Sequence, residues 1–138
     1  MKIKKILSLG LILSLASSVL VGCSSSNESS GDDNKTKITM IADLGGINDQ
    51  SFNQSAWEGL QRAEKELGVE ISVLESKQVS DYDANVETAV DQDSDLIIGI
   101  GFQMDKAIEN AAKSYPEQKF AIIDYAYENQ PANVNSIM

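Results

Sequence analysis

The sequence predicts an α/β fold built on a doubly wound parallel sheet. Short apolar runs typical of strands alternate with longer segments in which apolar residues recur every three or four positions, as on one helix face. Residues 96–100 are apolar throughout, as expected of a central parallel strand buried on both faces. Strands that alternate with helices of this length need crossover connections, which place helices on both faces of one sheet.

The first half of the globular region is predicted to contain two strands and two helices. Residues 37–42 form a β-leaning run before the Gly45-Gly46 turn, and residues 69–74 form the second strand. Gly68 is suited to ending the first helix, because glycine readily adopts the left-handed conformation. For the second helix we predict a capping box over residues 80–83, headed by the Ser80 hydroxyl. The predicted apolar faces are Phe52, Ala56, Leu60, Ala63 and Leu67 for the first helix, and Tyr82, Val86, Ala89 and Val90 for the second.

The second half continues the same alternation. After the strand over residues 96–100, a third helix is predicted to end at Pro116, because proline cannot continue a helix. Residues 120–123 form a fourth strand that ends at Asp124, and residues 134–137 begin a fifth. The apolar face of the third helix is Met104, Ala107, Ile108, Ala111 and Tyr115.

Polar and aromatic residues follow the predicted strands at their carboxyl ends, where open parallel sheets bind ligands. Asp43 and residues 45–53 follow the first strand, residues 99–103 belong to the third, and Asp124 ends the fourth. The ring of Phe52, flanked by Asp49 and Asn53, offers a stacking face beside carboxylate and amide groups. This combination suits a planar polar ligand, such as a nucleobase on a sugar.

Each of these residues also has a structural interpretation. Phe52 continues the apolar face of the first helix and could pack at its start, while Asp49 and Ser51 could cap that helix. Asp124 could be an ordinary turn residue. The double glycine lacks the spacing of a dinucleotide or P-loop motif, so we assign it no phosphate role and expect no cofactor.

Composition excludes several classes of function. Without the three lysines of residues 1–22, eight basic residues face 21 acidic ones, a net charge of −13. Such a field repels phosphate backbones and anionic head groups, which argues against nucleic-acid binding and electrostatic membrane docking. The sequence has no histidine and one cysteine, so the commonest general base and metal ligand are missing. We therefore expect no metal site and a neutral or cationic ligand.

The N-terminus has the order of a secretory signal. Three lysines precede the uncharged, leucine-rich residues 6–21, a run shorter than the roughly 20 apolar residues of a spanning helix. The run ends in Leu20-Val21-Gly22-Cys23, which resembles the lipobox of bacterial lipoproteins, in which the cysteine is acylated. The alternative of an internal disulfide fails, because there is no second cysteine.

The chain is thus divided into three parts. Residues 1–22 are predicted to be a lipoprotein signal peptide, and residues 23–36 a flexible polar tether without enough apolar surface to become ordered. Residues 37–138 are long enough for one small α/β domain. A diacylglyceryl group on Cys23 would hold that domain at the extracytoplasmic face of the cell membrane.

Several segments carry a resemblance to a known family. Residues 43–60, residues 96–102, and Tyr115-Pro116 with residues 120–124 match its pattern, and residues 131–134 fit its next segment. In these segments the chain resembles the basic membrane protein family, lipoproteins that serve as purine-nucleoside-binding components of ABC importers. The resemblance covers residues 37–138.

The resemblance implies a type I periplasmic-binding-protein fold, in which two α/β domains close on a nucleoside that is passed to an ABC permease. Residues 37–138 would be the N-terminal lobe. Because the sequence stops at Met138, before a second lobe, we expect a fragment or truncated product that binds nucleoside weakly. By the family motif, Phe52 would stack on the base, Asp49, Asn53 and Asp124 would hydrogen-bond base or ribose, and Gly101 and Phe102 would line the wall.

Three other functions stay open at this stage. An extracytoplasmic hydrolase could use two of Asp43, Asp49 and Asp124 as acid and base. A surface lipoprotein could bind host or matrix molecules instead of a solute. Within the binding class, a sugar or another small solute is an alternative, because a fold does not determine its ligand.

The lipobox resemblance generates the first prediction. Replacing Cys23 by Ser removes the acylated thiol, so the protein should move from the membrane fraction to the soluble fraction on cell fractionation. Ser25→Ala, a small change in the same polar segment, should leave it in the membrane fraction. Retention of the Cys23→Ser protein on membranes after a high-salt wash would contradict lipid anchoring.

Overall fold

The computed structural model describes residues 35–138, so the predicted signal peptide, Cys23 and most of the predicted tether lie outside the described residues. Five parallel strands form one sheet in the order β2-β1-β3-β4-β5. This confirms the predicted doubly wound parallel α/β architecture. The strands are β1 (Lys37–Ala42), β2 (Glu70–Glu75), β3 (Leu96–Ile100), β4 (Lys119–Ile123) and β5 (Val134–Ile137).

Three α-helices cover the two faces of the sheet. They are α1 (Phe52–Leu67), α2 (Asp81–Asp91) and α3 (Asp105–Ser114), and a 3₁₀ turn over Phe102–Met104 leads into α3. Helix α1 packs on one face, whereas α2 and α3 pack against each other and on the opposite face. None of the helices within residues 35–138 combines the length and apolar character that crossing a membrane requires.

Alternation along the central strands divides the core into two clusters. In β1, Met40 belongs to the cluster under α1, while its neighbour Ile41 belongs to the cluster under α2 and α3. Strand β3 repeats the pattern with Ile100 and Ile97. All four side chains are fully buried, as the continuous apolar runs predict for strands covered on both faces.

Helix α1 ends as predicted. Gly68 lies in the left-handed region with φ = 72°, and its N–H donates to the Glu64 carbonyl at 3.0 Å. A side chain at that φ would be strained, which explains the glycine.

The capping box predicted for α2 is wrong. Ser80 already has helical angles, φ = −66° and ψ = −12°, and its hydroxyl caps nothing. The residues before the helix form a tight turn, in which the N–H groups of Asp81 and Tyr82 bond to the two carbonyls three residues earlier. The Asp81 carboxylate instead accepts the N–H groups of Lys77 and Gln78, at 2.9 and 3.2 Å.

Gly99 and Gly59 provide a matched test of how closely helix α3 packs on the sheet. A Cβ on Gly99 in β3 would lie 3.0 Å from Cγ1 of the fully buried Ile108, whereas a Cβ on Gly59 in α1 would meet nothing within 4 Å. Gly99→Ala should therefore destabilise the protein by about 1–3 kcal/mol through overpacking. Gly59→Ala should stabilise it by roughly 0.5–1 kcal/mol, because alanine favours a helix. Urea unfolding measures both, and equal effects would contradict the close contact between Gly99 of β3 and Ile108 of α3.

Candidate functional site

The candidate site lies where the strand order reverses. Strand β1 lies between β2 and β3. The chain therefore passes from β1 to β2 on one side, and then from β2 to β3 on the other side of β1. In open α/β sheets the crevice at such a switch point, outside the carboxyl ends of the strands, is where ligands bind. Here it is flanked by residues 43–51 after β1 and by residues 101–104 after β3.

A buried amide joins the end of β1 to the start of α1. Asn53 is 1% exposed, and its Nδ2 donates to Asp43 Oδ1 at 2.7 Å and to Asp49 Oδ2 at 2.8 Å. Its Oδ1 accepts the backbone N–H of Asp43 at 3.1 Å. Both donor hydrogens of the amide are therefore engaged within the protein. The predicted ligand contact from Asn53 would require it to release one of them.

Asp49 caps helix α1. Its carboxylate accepts the backbone N–H groups of Ser51 at 2.8 Å, Gln54 at 3.0 Å and Asn53 at 3.1 Å, besides the Asn53 amide. Burial opposes ionisation, but these four hydrogen bonds outweigh it and lower the pKa of Asp49 to about 2. Ser51, the other capping candidate, makes no side-chain cap bond. The capping interpretation is therefore right for Asp49.

The loops after β1 and β3 approach each other closely at Asp43 and Gly101. Gly101 has φ = 88°, and a Cβ there would lie 3.0 Å from Asp43 Oδ2, so a side chain would be strained and crowded against the carboxylate. The Gly101 N–H donates to the Ile123 carbonyl of β4 at 3.0 Å, which ties the loop to the sheet. The predicted wall residue Gly101 thus borders Asp43.

The two phenylalanines of the predicted site are exposed. Phe52 is 54% exposed and Phe102 is 60% exposed, although each is followed by a segment that packs on the sheet. Phe52 is the first residue of α1, and Phe102 is the first residue of the 3₁₀ turn. Neither ring belongs to the two core clusters, and both are accessible to a ligand.

Asp124 lies at the same edge, one strand further along. It has φ = 64°, a left-handed conformation that aspartate tolerates better than most residues, and its N–H donates to the Ile137 carbonyl of β5 at 2.8 Å. Its side chain is half-buried. Non-glycine residues in this conformation are concentrated at functional sites.

Sequence reasoning missed two residues of this region. Glu75 ends β2, and its Oε2 accepts the Ile47 N–H at 3.3 Å beside Gly46, where φ = 65°. Tyr82, predicted only as a core residue, hydrogen-bonds to Gln103 in the loop after β3. The position of Glu75 at a strand end was a usable signal, whereas nothing in the sequence pattern identified the partner of Tyr82.

A cavity of about 280 Å³ lies at the opposite, amino end of the sheet, and Thr39, Ser72 and Ser94 contribute to its lining. The Thr39 hydroxyl bonds to those of Ser72 at 2.7 Å and Ser94 at 2.6 Å, so these three hydroxyls satisfy one another. This cavity lies far from the switch point. Within residues 35–138, His, Cys, Asp and Glu side chains form no group of three that could hold a metal.

A family model described as ABC transporter substrate-binding protein PnrA-like, the Bmp family, matches residues 35–138. The chain belongs to this family. Among similar proteins, the CD4+ T-cell-stimulating antigen of Listeria innocua is 41% identical over 97% of this chain. The ABC transporter nucleoside-binding protein BmpA of Lactococcus lactis is 38% identical over 96% of it. The chain spans about 40% of the length of these two curated relatives.

Solved structures agree with this assignment. A fragment described as a lipoprotein from Peptoclostridium difficile 630 is 39% identical, with a TM-score of 0.70 over 75% of this chain and 84% of that one. An ABC transporter solute-binding protein of Aeropyrum pernix is 34% identical, with a TM-score of 0.67 over 72% of this chain and 27% of that one. The Bmp chain therefore shares its fold with solute-binding proteins.

Membership of a substrate-binding family favours binding over catalysis. The hydrolase alternative needs a carboxyl group that stays protonated near neutral pH, and such a group has a raised pKa. The pKa of Asp49 is instead lowered, and all four of its hydrogen bonds stabilise the charged form. Asp49 is therefore unsuited to act as the general acid.

The Asp49 cap generates a pH-dependent prediction. Because the folded pKa, about 2, lies below the ordinary value of 3.8, the stabilisation is complete above pH 3.8 and is lost as the pH falls toward 2. Asp49→Asn should lower the urea midpoint at pH 7, and the gap to the wild type should shrink between pH 4 and 2. Ser51→Ala is the control and should change little at either pH. A gap that is constant with pH would show that Asp49 does not act through its charge.

Proposed function

We propose that this Bmp-family protein is a lipid-anchored, extracytoplasmic solute receptor that binds purine nucleosides and delivers them to an ABC permease. The observation that carries the proposal is the pair of exposed rings beside the switch point, Phe52 at the start of α1 and Phe102 in the turn after β3. Exposed aromatic rings beside fixed polar groups suit a ligand with a planar face and hydrogen-bonding edges.

The polar groups at this edge suit a ligand that donates hydrogen bonds. Asp43 is half-buried next to Gly101, and Asp124 is half-buried at the end of β4. Carboxylates accept hydrogen bonds, and ribose hydroxyls and the N–H groups of purines can donate them. Asp43 Oδ1 also holds the loop, through the Asn53 amide and the Gly45 N–H, so in the proposal Asp43 Oδ2 and the Asp124 carboxylate contact the ligand.

Charge favours a nucleoside over a nucleotide. The sequence after residue 22 carries a net charge of −13, and the site itself is lined by carboxylates. A phosphate group would enter a negative field, whereas a nucleoside is neutral. The name of the Lactococcus relative, a nucleoside-binding protein, supports the same ligand class.

Anchoring and delivery are part of the proposal, and the sequence and the family support them. In the proposal, residues 1–22 are removed, a diacylglyceryl group on Cys23 binds the membrane, and residues 23–36 act as the tether of the α/β lobe over residues 37–138. Two acyl chains provide stable anchoring, whereas a single chain gives only marginal binding. Membership of an ABC substrate-binding family supports the permease as partner.

Stacking generates the prediction that tests this function. Removal of one stacking ring typically costs about 1–3 kcal/mol, so Phe52→Ala should weaken nucleoside binding by roughly ten- to hundredfold. The mature chain without its lipid can be titrated with inosine, adenosine and guanosine to millimolar concentration, with binding followed by NMR. Ribose and uridine serve as comparison ligands.

Leu67→Ala is the matched control, because Leu67 is an exposed apolar residue at the other end of the same helix. It should leave the affinity unchanged. If purine nucleosides shift none of the resonances of Phe52, Phe102 or their loops, the proposed ligand is wrong. Equal responses to ribose and nucleosides would indicate a sugar receptor instead.

A further inference from the structure

Tyr82 is a buried polar residue that the proposed binding role does not use. It lies in the first turn of α2, is 2% exposed, and belongs to the core cluster that includes Ile41 and Met104. Phenylalanine would pack in the core equally well. Burying the tyrosine hydroxyl costs free energy unless the hydroxyl forms a hydrogen bond.

The hydrogen-bond partner of the hydroxyl belongs to the turn after β3. Tyr82 Oη donates to Gln103 Oε1 at 3.3 Å, in the turn that carries Phe102. Burial first, and then the charge of Asp43, raise the pKa of Tyr82, so the group remains a protonated donor.

The turn after β3 has few other attachments. Gly101 is bound to β4 through its N–H, and Met104 is fully buried in the core. Between these two points lie Phe102 and Gln103, both exposed. The contact from Tyr82 is therefore a side-chain attachment of the segment that presents the Phe102 ring.

We propose that Tyr82 is a positioning residue that holds the turn after β3, and thereby sets Phe102 for the ligand. The effect on affinity rests on the proposed function, but the effect on the turn does not. Tyr82 itself does not contact the ligand. Its hydroxyl links helix α2 to the turn after β3, so a ligand meets a prearranged ring and less ordering is needed on binding.

The test compares two tyrosines that lose the same atom. Tyr82→Phe removes the hydroxyl at the crevice, whereas Tyr115→Phe removes a hydroxyl that bonds to Glu87 on the outer surface between α2 and α3. In the ligand-free mature chain, Tyr82→Phe should shift or broaden the backbone amide NMR signals of residues 101–103. Tyr115→Phe should leave these signals unchanged.

Gln103→Met provides a second route to the same contact. Gln103 is exposed, so this variant should fold even if Tyr82→Phe does not, and methionine retains the length without the amide. In Gln103→Met, the backbone amide signals of residues 101–103 should change in the same direction as in Tyr82→Phe. The double variant should add nothing to either single change, because both remove one interaction.

Affinity gives the second readout. Tyr82→Phe and Gln103→Met should each weaken inosine binding by roughly three- to tenfold, the range for one neutral hydrogen bond, and Tyr115→Phe should not. Unchanged loop signals in both Tyr82→Phe and Gln103→Met would overturn the positioning role, whatever the ligand. If the signals change in both variants but the wild-type protein binds no nucleoside, the positioning role is retained and the proposed function is refuted.

Discussion

The buried amide of Asn53 is the constraint on which the rest of the site depends. One side chain holds the carboxylate that ends β1 and the carboxylate that caps α1, at 2.7 and 2.8 Å. A neutral amide between two carboxylates gives each of them a hydrogen bond in place of water. Without it, the loop over residues 43–52 would lose its closure, and Phe52 its fixed position at the start of the helix.

At this edge of the sheet, some side chains stabilise the fold, whereas others are accessible to a ligand. Asn53 and Asp49 direct their hydrogen-bonding atoms into the loop, and Gly101 allows the two loops to approach. Phe52 and Phe102 direct their rings outward at the borders of this arrangement. Polar atoms that are already satisfied do not need to reorganise, so a site of this kind is prearranged by its own hydrogen bonds.

The sequence was sufficient for the elements but not for their polar contacts. Apolar runs and helical periodicity located the five strands and three α-helices of residues 35–138, because two-sided burial gives a strand a continuous apolar run and one-sided burial gives a helix an apolar face. The Ser80 cap failed because backbone angles set by the preceding turn decide capping. The sequence did not show that Asn53 bonds to Asp43, ten residues away, or that Tyr82 bonds to Gln103, 21 residues away. Such contacts depend on how the fold brings distant parts of the chain together, which the periodicity of apolar residues does not indicate.

Charge and stacking together limit what the proposed site would select. A ring such as Phe52 or Phe102 offers attraction to any planar ligand, so stacking alone discriminates little among bases. The carboxylates of Asp43 and Asp124 add a requirement for hydrogen-bond donors, and the net charge of −13 after residue 22 adds a penalty for anions. A nucleotide could stack on the rings, but its phosphate would be repelled by the negative charge. A free sugar could donate hydrogen bonds, but it has no planar ring to stack. A neutral nucleoside meets all three conditions, so specificity in this site would arise from combining several weakly selective interactions.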